Sequence, residues 1–92
     1  MNRDELIQEL EAKFPNKNFR TSEEFDGSEN GIWTSGEDDY THKGMPVFDY
    51  YTQDGGSRSY IFGVHKTMHN FLEQRGWYCE WNDAGTVLIY EG

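Results

Sequence analysis

The 92-residue sequence has a single cysteine, Cys79, only two prolines and eight basic residues against seventeen acids. One cysteine cannot form an internal disulfide, so we expect a reducing compartment and a fold that needs no bridge. The longest apolar run, Val87–Tyr90, is too short to cross a bilayer. The N-terminal residues also lack the apolar stretch of a signal peptide. These absences predict a soluble, cytoplasmic protein without membrane contact.

The composition is poor in apolar residues, at 35%, yet aromatic residues make up 16%. Large rings bury enough surface to support one small domain over residues 1–92. A small core does not hide so many rings, so we expect some at the surface. No phosphate-binding glycine loop, nucleophile elbow or metal-hydrolase motif is present. We therefore expect a protein that is not an enzyme.

Acidic residues are concentrated in the middle of the chain. Residues 21–56 hold nine acids against one base, Lys43, whereas residues 1–20 are balanced. The nine acids are Glu23, Glu24, Asp26, Glu29, Glu37, Asp38, Asp39, Asp49 and Asp54. Segregated charge of this kind creates a one-signed field that attracts a basic partner.

The charge distribution predicts a non-catalytic module whose acidic face docks on a basic protein surface. In its most specific form the carboxylates replace phosphates and block a nucleic-acid-binding site. In build, though in no motif, the chain resembles acidic accessory proteins of phages. Direct nucleic-acid binding is not expected because the charge is of the wrong sign, and repulsion between acids favours a monomer. The remaining interpretation is that the acids only keep the protein soluble.

Apolar spacing predicts two helices, at about Asp4–Phe14 and about Ser59–Arg75. The first has a capping box in Asn2 and Glu5 and ends at Pro15. Gly76 is placed to end the second, and Gly63 makes its first turn uncertain.

Strands are predicted at 18–25, as an edge strand, at 32–34 and at 47–52. A hairpin follows at Trp77–Asn82 and Thr86–Glu91, with a turn at 83–85. Residues 36–46 and 53–57 are predicted to be exposed loops. The fold class is therefore α+β, with an antiparallel sheet of about four or five strands and two helices packed on one face.

The segment from Asp26 to Glu37 resembles an EF-hand calcium loop in its spacing. Oxygen-bearing residues occupy alternate positions, a glycine stands at position six, and a glutamate stands at position twelve. The resemblance implies calcium or another divalent cation bound by Asp26, Ser28, Asn30, Thr34 and Glu37. The flanking sequences do not favour the two helices of that family, so we prefer a solvated turn and keep the cation site as the alternative function.

His65 and His69 are four residues apart on the second predicted helix and would lie on one face. They are either boundary packing residues or two ligands of a zinc or copper ion, completed by Cys79 or a carboxylate. Cys79 itself lies within a predicted strand, with Trp77 and Trp81 on its own side. That position predicts a buried and unreactive thiol.

Overall fold

A computed structural model describes residues 2–15, 17–27, 29–36, 41–42, 45–49 and 60–92. The helices are α1 (Arg3–Lys13), α2 (Ser22–Asp26) and α3 (Lys66–Glu73). The strands are β1 (Arg20–Thr21), β2 (Ile32–Ser35), β3 (Thr41–His42), β4 (Met45–Pro46), β5 (Tyr60–Ile61), β6 (Val64–His65), β7 (Trp77–Asp83) and β8 (Thr86–Glu91). None of the helices in these ranges has the length and apolar character needed to cross a bilayer.

The main sheet is antiparallel, with the strand order β1-β2-β8-β7. Two further antiparallel pairs, β3-β4 and β5-β6, stand beside it. The chain is thus a small α+β domain, which confirms the predicted fold class. The predicted edge position of the first strand is also confirmed, because β1 pairs only with β2 among the described strands.

The predicted first helix is confirmed, together with its end signals. The side chain of Asn2 accepts a hydrogen bond from the Glu5 amide at 2.9 Å, and Glu5 accepts in return from the Asn2 amide. This capping box satisfies amides that the first helical turn leaves free. At the other end Phe14 is the C-cap, directly before Pro15.

One face of the main sheet is covered by helices and forms the core. Residues from α1 and α3 pack there against alternate residues of β2, β7 and β8, as expected when a sheet and amphipathic helices bury their apolar sides together. The fully buried members include Leu6, Leu10, Phe14, Ile32, Met68, Leu72, Val87 and Ile89. We call this side of the sheet the core face.

The prediction of a strand over residues 18–25 is wrong for most of its length. Only Arg20–Thr21 is extended, and the chain then forms α2. Gly27, at φ +83°, ends that helix in the left-handed conformation that glycine adopts most easily. Ser22 is fully buried, and its hydroxyl accepts a hydrogen bond from the Gly31 amide at 3.0 Å. This bond connects the first residue of α2 to the residue before β2, and β1 does not continue beyond Thr21.

The prediction of one helix over 59–75 is also wrong at its start. A hairpin of β5 and β6 precedes α3, with a two-residue turn at Phe62 (φ +50°) and Gly63 (φ +81°). Positive φ at both central residues is typical of tight hairpin turns. The helix then ends at Glu73, and Gly76 (φ +79°) turns the chain into β7.

The C-terminal hairpin is confirmed. β7 and β8 pair along their length, with a register shift between Trp81 and Asp83. The turn between them is fixed by a carboxylate oxygen of Asp83, which accepts from the Gly85 amide at 2.9 Å. Side-chain capping of this kind is a common way to stabilise a tight turn.

The two predicted loops and the third predicted strand are described only in part. Residues 36–46, predicted as an exposed loop, contain the short β3-β4 pair in their described part. In the strand predicted at 47–52, Phe48 makes a single antiparallel bridge to Val64. Residues 50–52 and the loop predicted at 53–57 lie outside the described residues.

Candidate functional site

The acidic segment is fastened to the domain at Glu23. One carboxylate oxygen of Glu23 accepts a hydrogen bond from Arg3 Nη1 at 2.7 Å, and the other accepts from the Asn30 amide at 3.1 Å. Arg3 Nη1 also donates to the Gly31 carbonyl oxygen at 3.2 Å. These bonds join α1, α2 and the residues just before β2, so Glu23 and its neighbours in α2 are part of the folded unit.

The same bonds change the titration of Glu23. The amide of Asn30, the amide of Glu23 itself and the Arg3 guanidinium together lower the pKa of this carboxyl from 4.5 to about 2. Hydrogen bonds to the ionised form stabilise the negative charge, so Glu23 stays ionised well into acid. Among the predicted partner-binding acids, Glu23 therefore has a structural task within the chain.

The other predicted acids differ in what they contact. Glu24 and Glu29 are exposed, and in the part of the chain that the structure describes they form no ion pair. Asp26 is exposed at the end of α2. Asp49 is half-buried, and its amide donates to the Gly63 carbonyl oxygen at 2.8 Å. Glu37, Asp38, Asp39 and Asp54 lie outside the described residues.

The fold brings further acids to this segment that sequence reasoning missed. A cavity of about 610 Å³ is lined by Asn2, Arg3, Asp4, Asn30, Trp77 and Glu91. Asp4, in the first turn of α1, and Glu91, at the end of β8, therefore lie beside the Arg3–Glu23 pair. Only the pairing of distant elements places them there, and no local sequence pattern indicates it.

The second face of the main sheet carries a row of aromatic residues. Cross-strand partners point to the same side, and Trp33 is opposite Leu88 while Tyr90 is opposite Tyr78. Phe25, from α2, stacks on Trp33 with ring centroids 6.2 Å apart, and Tyr78 and Tyr90 are also 6.2 Å apart. We call Phe25, Trp33, Tyr78, Leu88 and Tyr90 the aromatic face.

Parts of the aromatic face are open to solvent. Phe25 is 42% exposed and Tyr78 is 48% exposed. A groove of about 370 Å³ runs along the edge of the sheet and is lined by Asn18, Arg20, Thr21, Glu24, Phe25 and Trp33. The carboxylate of Glu24 and the Phe25–Trp33 pair therefore line the same groove.

The proposed calcium loop is divided between several structural elements. Asp26 ends α2, Asn30 has a positive φ of 68°, and β2 begins at Ile32. Thr34 is fully buried on the core face, where its hydroxyl donates to the Asn18 carbonyl oxygen at 2.8 Å. The Thr34 hydroxyl thus forms a hydrogen bond within the protein interior. Ser28 and Glu37 lie outside the described residues.

The two histidines do not share a helix face as predicted. His65 is the N-cap of α3, and its Nδ1 accepts a hydrogen bond from the Thr67 amide at 3.1 Å. Its ring is buried against Tyr60, in an edge-to-face contact. His69 lies within α3, and its Nε2 is 2.8 Å from a carboxylate oxygen of Glu73. Within the described ranges, no three or more His, Cys, Asp or Glu side chains form a group that could hold a metal.

Cys79 packs at the edge of the core, half-buried on the core side of β7. Burial raises the pKa of its thiol to about 12, and the nearby Lys17 opposes this only partly. At neutral pH the thiol is therefore protonated, and a thiol is a far weaker nucleophile than a thiolate.

Comparisons of the chain with protein families, with curated protein sequences and with solved structures gave no match.

Proposed function

We propose that this protein is a non-catalytic binding module whose acidic face docks on a basic protein surface. The acidic face comprises the exposed Glu24, Asp26 and Glu29, to which the sequence adds Glu37, Asp38, Asp39, Asp49 and Asp54. The observation that carries the proposal is the attachment of α2 to the fold through Glu23. The exposed Glu24 and Asp26 on this helix are thereby held in a defined arrangement, which acids that serve only solubility do not need.

Charge would act mainly on the rate and specificity of association. An exposed ion pair contributes only about 0.2–1 kcal/mol, so no single acid provides strong binding. Several acids of one sign attract a basic partner over a longer range and disfavour acidic competitors. The proposal therefore implies binding that weakens steeply as salt is added.

The most specific form of the proposal is mimicry of nucleic acid. Carboxylates spaced along the acidic face would take the places of backbone phosphates on a partner that binds DNA or RNA. Nucleic acid would then compete with this protein for the same partner surface.

The test is affinity capture from the source cell's lysate over a salt series, with three baits. They are the wild type, Glu24→Gln with Glu29→Gln, and a control with two neutralised acids on other elements, Glu11→Gln with Glu73→Gln. We expect a basic prey that is released by high salt, is displaced by added DNA or RNA, and is retained less by the first variant than by the control. Equal retention by both variants, or no dependence on salt, would contradict the proposal.

A further inference from the structure

The face of the main sheet beside the acidic residues also has apolar side chains that the chain itself leaves partly uncovered. On the core face of the sheet, α1 and α3 cover the apolar residues. On the opposite face, in the described part of the chain, α2 is the helix that makes contact, and it does so through Phe25. Tyr78 and Phe25 remain about half exposed there. Exposed aromatic residues in a group are a common feature of binding surfaces.

The aromatic face has charged residues in direct continuity with it. Arg20, Trp33, Leu88 and Glu80 form one cross-strand row on this side of the sheet. Glu24 and Arg20 both line the groove next to Phe25. In this row and groove the two acids, Glu24 and Glu80, thus stand against one base, Arg20. This balance favours a cationic ligand over an anionic one.

We infer that the aromatic face is the contact centre for an arginine-rich segment of the basic partner; the inference rests on the proposed function. A guanidinium group is planar, weakly hydrated and permanently charged, so it can stack on an aromatic ring and pair with a carboxylate at the same time. The groove, which Arg20 also lines, offers the rings of Phe25 and Trp33 together with the carboxylate of Glu24. A lysine ammonium lacks the planar surface, so it would gain less from the same groove.

The indole of Trp33 provides a signal for this binding. Its Nε1–H is buried and has no acceptor among the residues that the structure describes. Of the three tryptophans, Trp33 lies on the aromatic face, whereas Trp77 and Trp81 pack with the core. A ligand in the groove would therefore shift the Trp33 indole resonance more than the other two.

The experiment compares two soluble peptides of equal length and charge, one arginine-rich and one lysine-rich. Affinity is measured by calorimetry, and the indole N–H signals are followed by NMR. We expect the arginine peptide to bind about fivefold more tightly, with the Trp33 signal moving most. Phe25→Ala and Tyr78→Ala should each weaken binding of the arginine peptide about fivefold. Phe25→Leu should bind as weakly as Phe25→Ala, because leucine is apolar but has no ring on which a guanidinium can stack.

Phe62→Ala is the matched control, because Phe62 is 67% exposed at the tip of the β5-β6 hairpin, away from the aromatic face. Its affinity should equal that of the wild type. Retention of well-dispersed NMR spectra shows that each variant is folded.

The outcomes separate this inference from the proposed function. Weaker binding by Glu24→Gln with Glu29→Gln, but not by the aromatic variants, would overturn the inference and leave the acidic docking model standing. If neither the acidic variant nor the aromatic variants bind the peptide more weakly, both the inference and the acidic docking model are overturned. The inference is also overturned if a single-stranded oligonucleotide binds more tightly than the arginine peptide. It is likewise overturned if sedimentation shows self-association that Tyr78→Ala abolishes, since the occupant of the aromatic face would then be a second copy of the chain.

Discussion

The two faces of the main sheet are built from the same four strands but differ in how their apolar residues are covered. On the core face, Ile32, Val87 and Ile89 are fully buried beneath α1 and α3. On the aromatic face, Tyr78 is 48% exposed and Phe25 is 42% exposed. A residue that stabilises the fold should be covered within the chain, whereas a residue kept for a partner should not. We therefore expect the core face to stabilise the fold and the exposed rings of Phe25 and Tyr78, unlike the buried Leu88 beside them, to be available to a partner.

The largest effect is expected from a core-face substitution. Leu10→Ala removes most of a side chain that is 0% exposed in α1. The lost burial and the remaining cavity should lower the free energy of unfolding by about 2–5 kcal/mol, measured by urea denaturation. Gln8→Ala, at an exposed site of the same helix, is the control. A loss as large in the control would mean that burial of the Leu10 side chain does not determine the result, since alanine does not lower helix propensity at either site.

Gly31→Ala tests how closely the aromatic face is packed against β2. An added Cβ would lie 2.6 Å from Tyr90 Cε1 and 3.1 Å from Ser22 Oγ. Displacing the Tyr90 ring should cost about 1–3 kcal/mol of unfolding free energy. Adding Tyr90→Leu should restore part of that loss because it removes the clashing ring. Additive losses in the double variant would contradict this contact.

Glu23→Gln tests the attachment of the acidic segment through its pH dependence. The folded pKa of about 2 is below the ordinary 4.5, so the unfolded chain binds more protons between these values. The wild type should therefore lose stability as the pH falls from 4.5 towards 2. In Glu23→Gln this contribution should be missing at every pH, so that urea midpoints are lower at pH 7 and fall less in acid. The neighbouring Glu24→Gln should behave like the wild type.

Phe62→Asn should produce a small gain in stability. Phe62 holds a left-handed conformation at φ +50°, and its ring is 67% exposed. Asparagine adopts this conformation with less strain, so the free energy of unfolding should rise by about 1 kcal/mol. Phe62→Ala lacks the side-chain amide that can hydrogen-bond to the nearby backbone in this conformation, so it should bring no gain. A loss of stability in Phe62→Asn, measured by thermal denaturation, would show that the exposed ring contributes to folding.

Local signals in the sequence predicted the elements whose ends are set by neighbouring residues. The capping box of Asn2 and Glu5 fixed the start of α1, and Pro15 marked its end. The turn at Asp83–Gly85 likewise identified the C-terminal hairpin. Both signals work because hydrogen bonds within a few residues determine the local conformation.

The helix prediction is wrong where a residue with positive φ interrupts apolar residues that have helical spacing. Ile61, Val64 and Met68 have helical spacing, yet the chain reverses at Phe62–Gly63. A phenylalanine at positive φ is not a usual turn signal, so the hairpin was missed and α3 was predicted to begin too early. Likewise, weak alternation in residues 18–25 suggested a strand, although Glu23 and Gly27 suit the start and end of a short helix.

The candidate site was only partly visible in the sequence for a related reason. The concentration of acids is a property of composition and needed no structure. The Arg3–Glu23 pair joins residues that are distant in sequence, and the aromatic face depends on β2 lying beside β8. Non-local pairing of this kind has no local signature in the sequence, so the two faces of the sheet are visible only in the folded structure.

The most direct test of that division measures two quantities on the same Tyr78→Ala sample: the free energy of unfolding, and the dissociation constant for the arginine-rich peptide. We predict an unfolding free energy within about 1 kcal/mol of the wild type, because the ring is half exposed. The dissociation constant should rise about fivefold. A loss of several kcal/mol with unchanged peptide affinity would contradict the account, since Tyr78 would then serve the fold and not a partner.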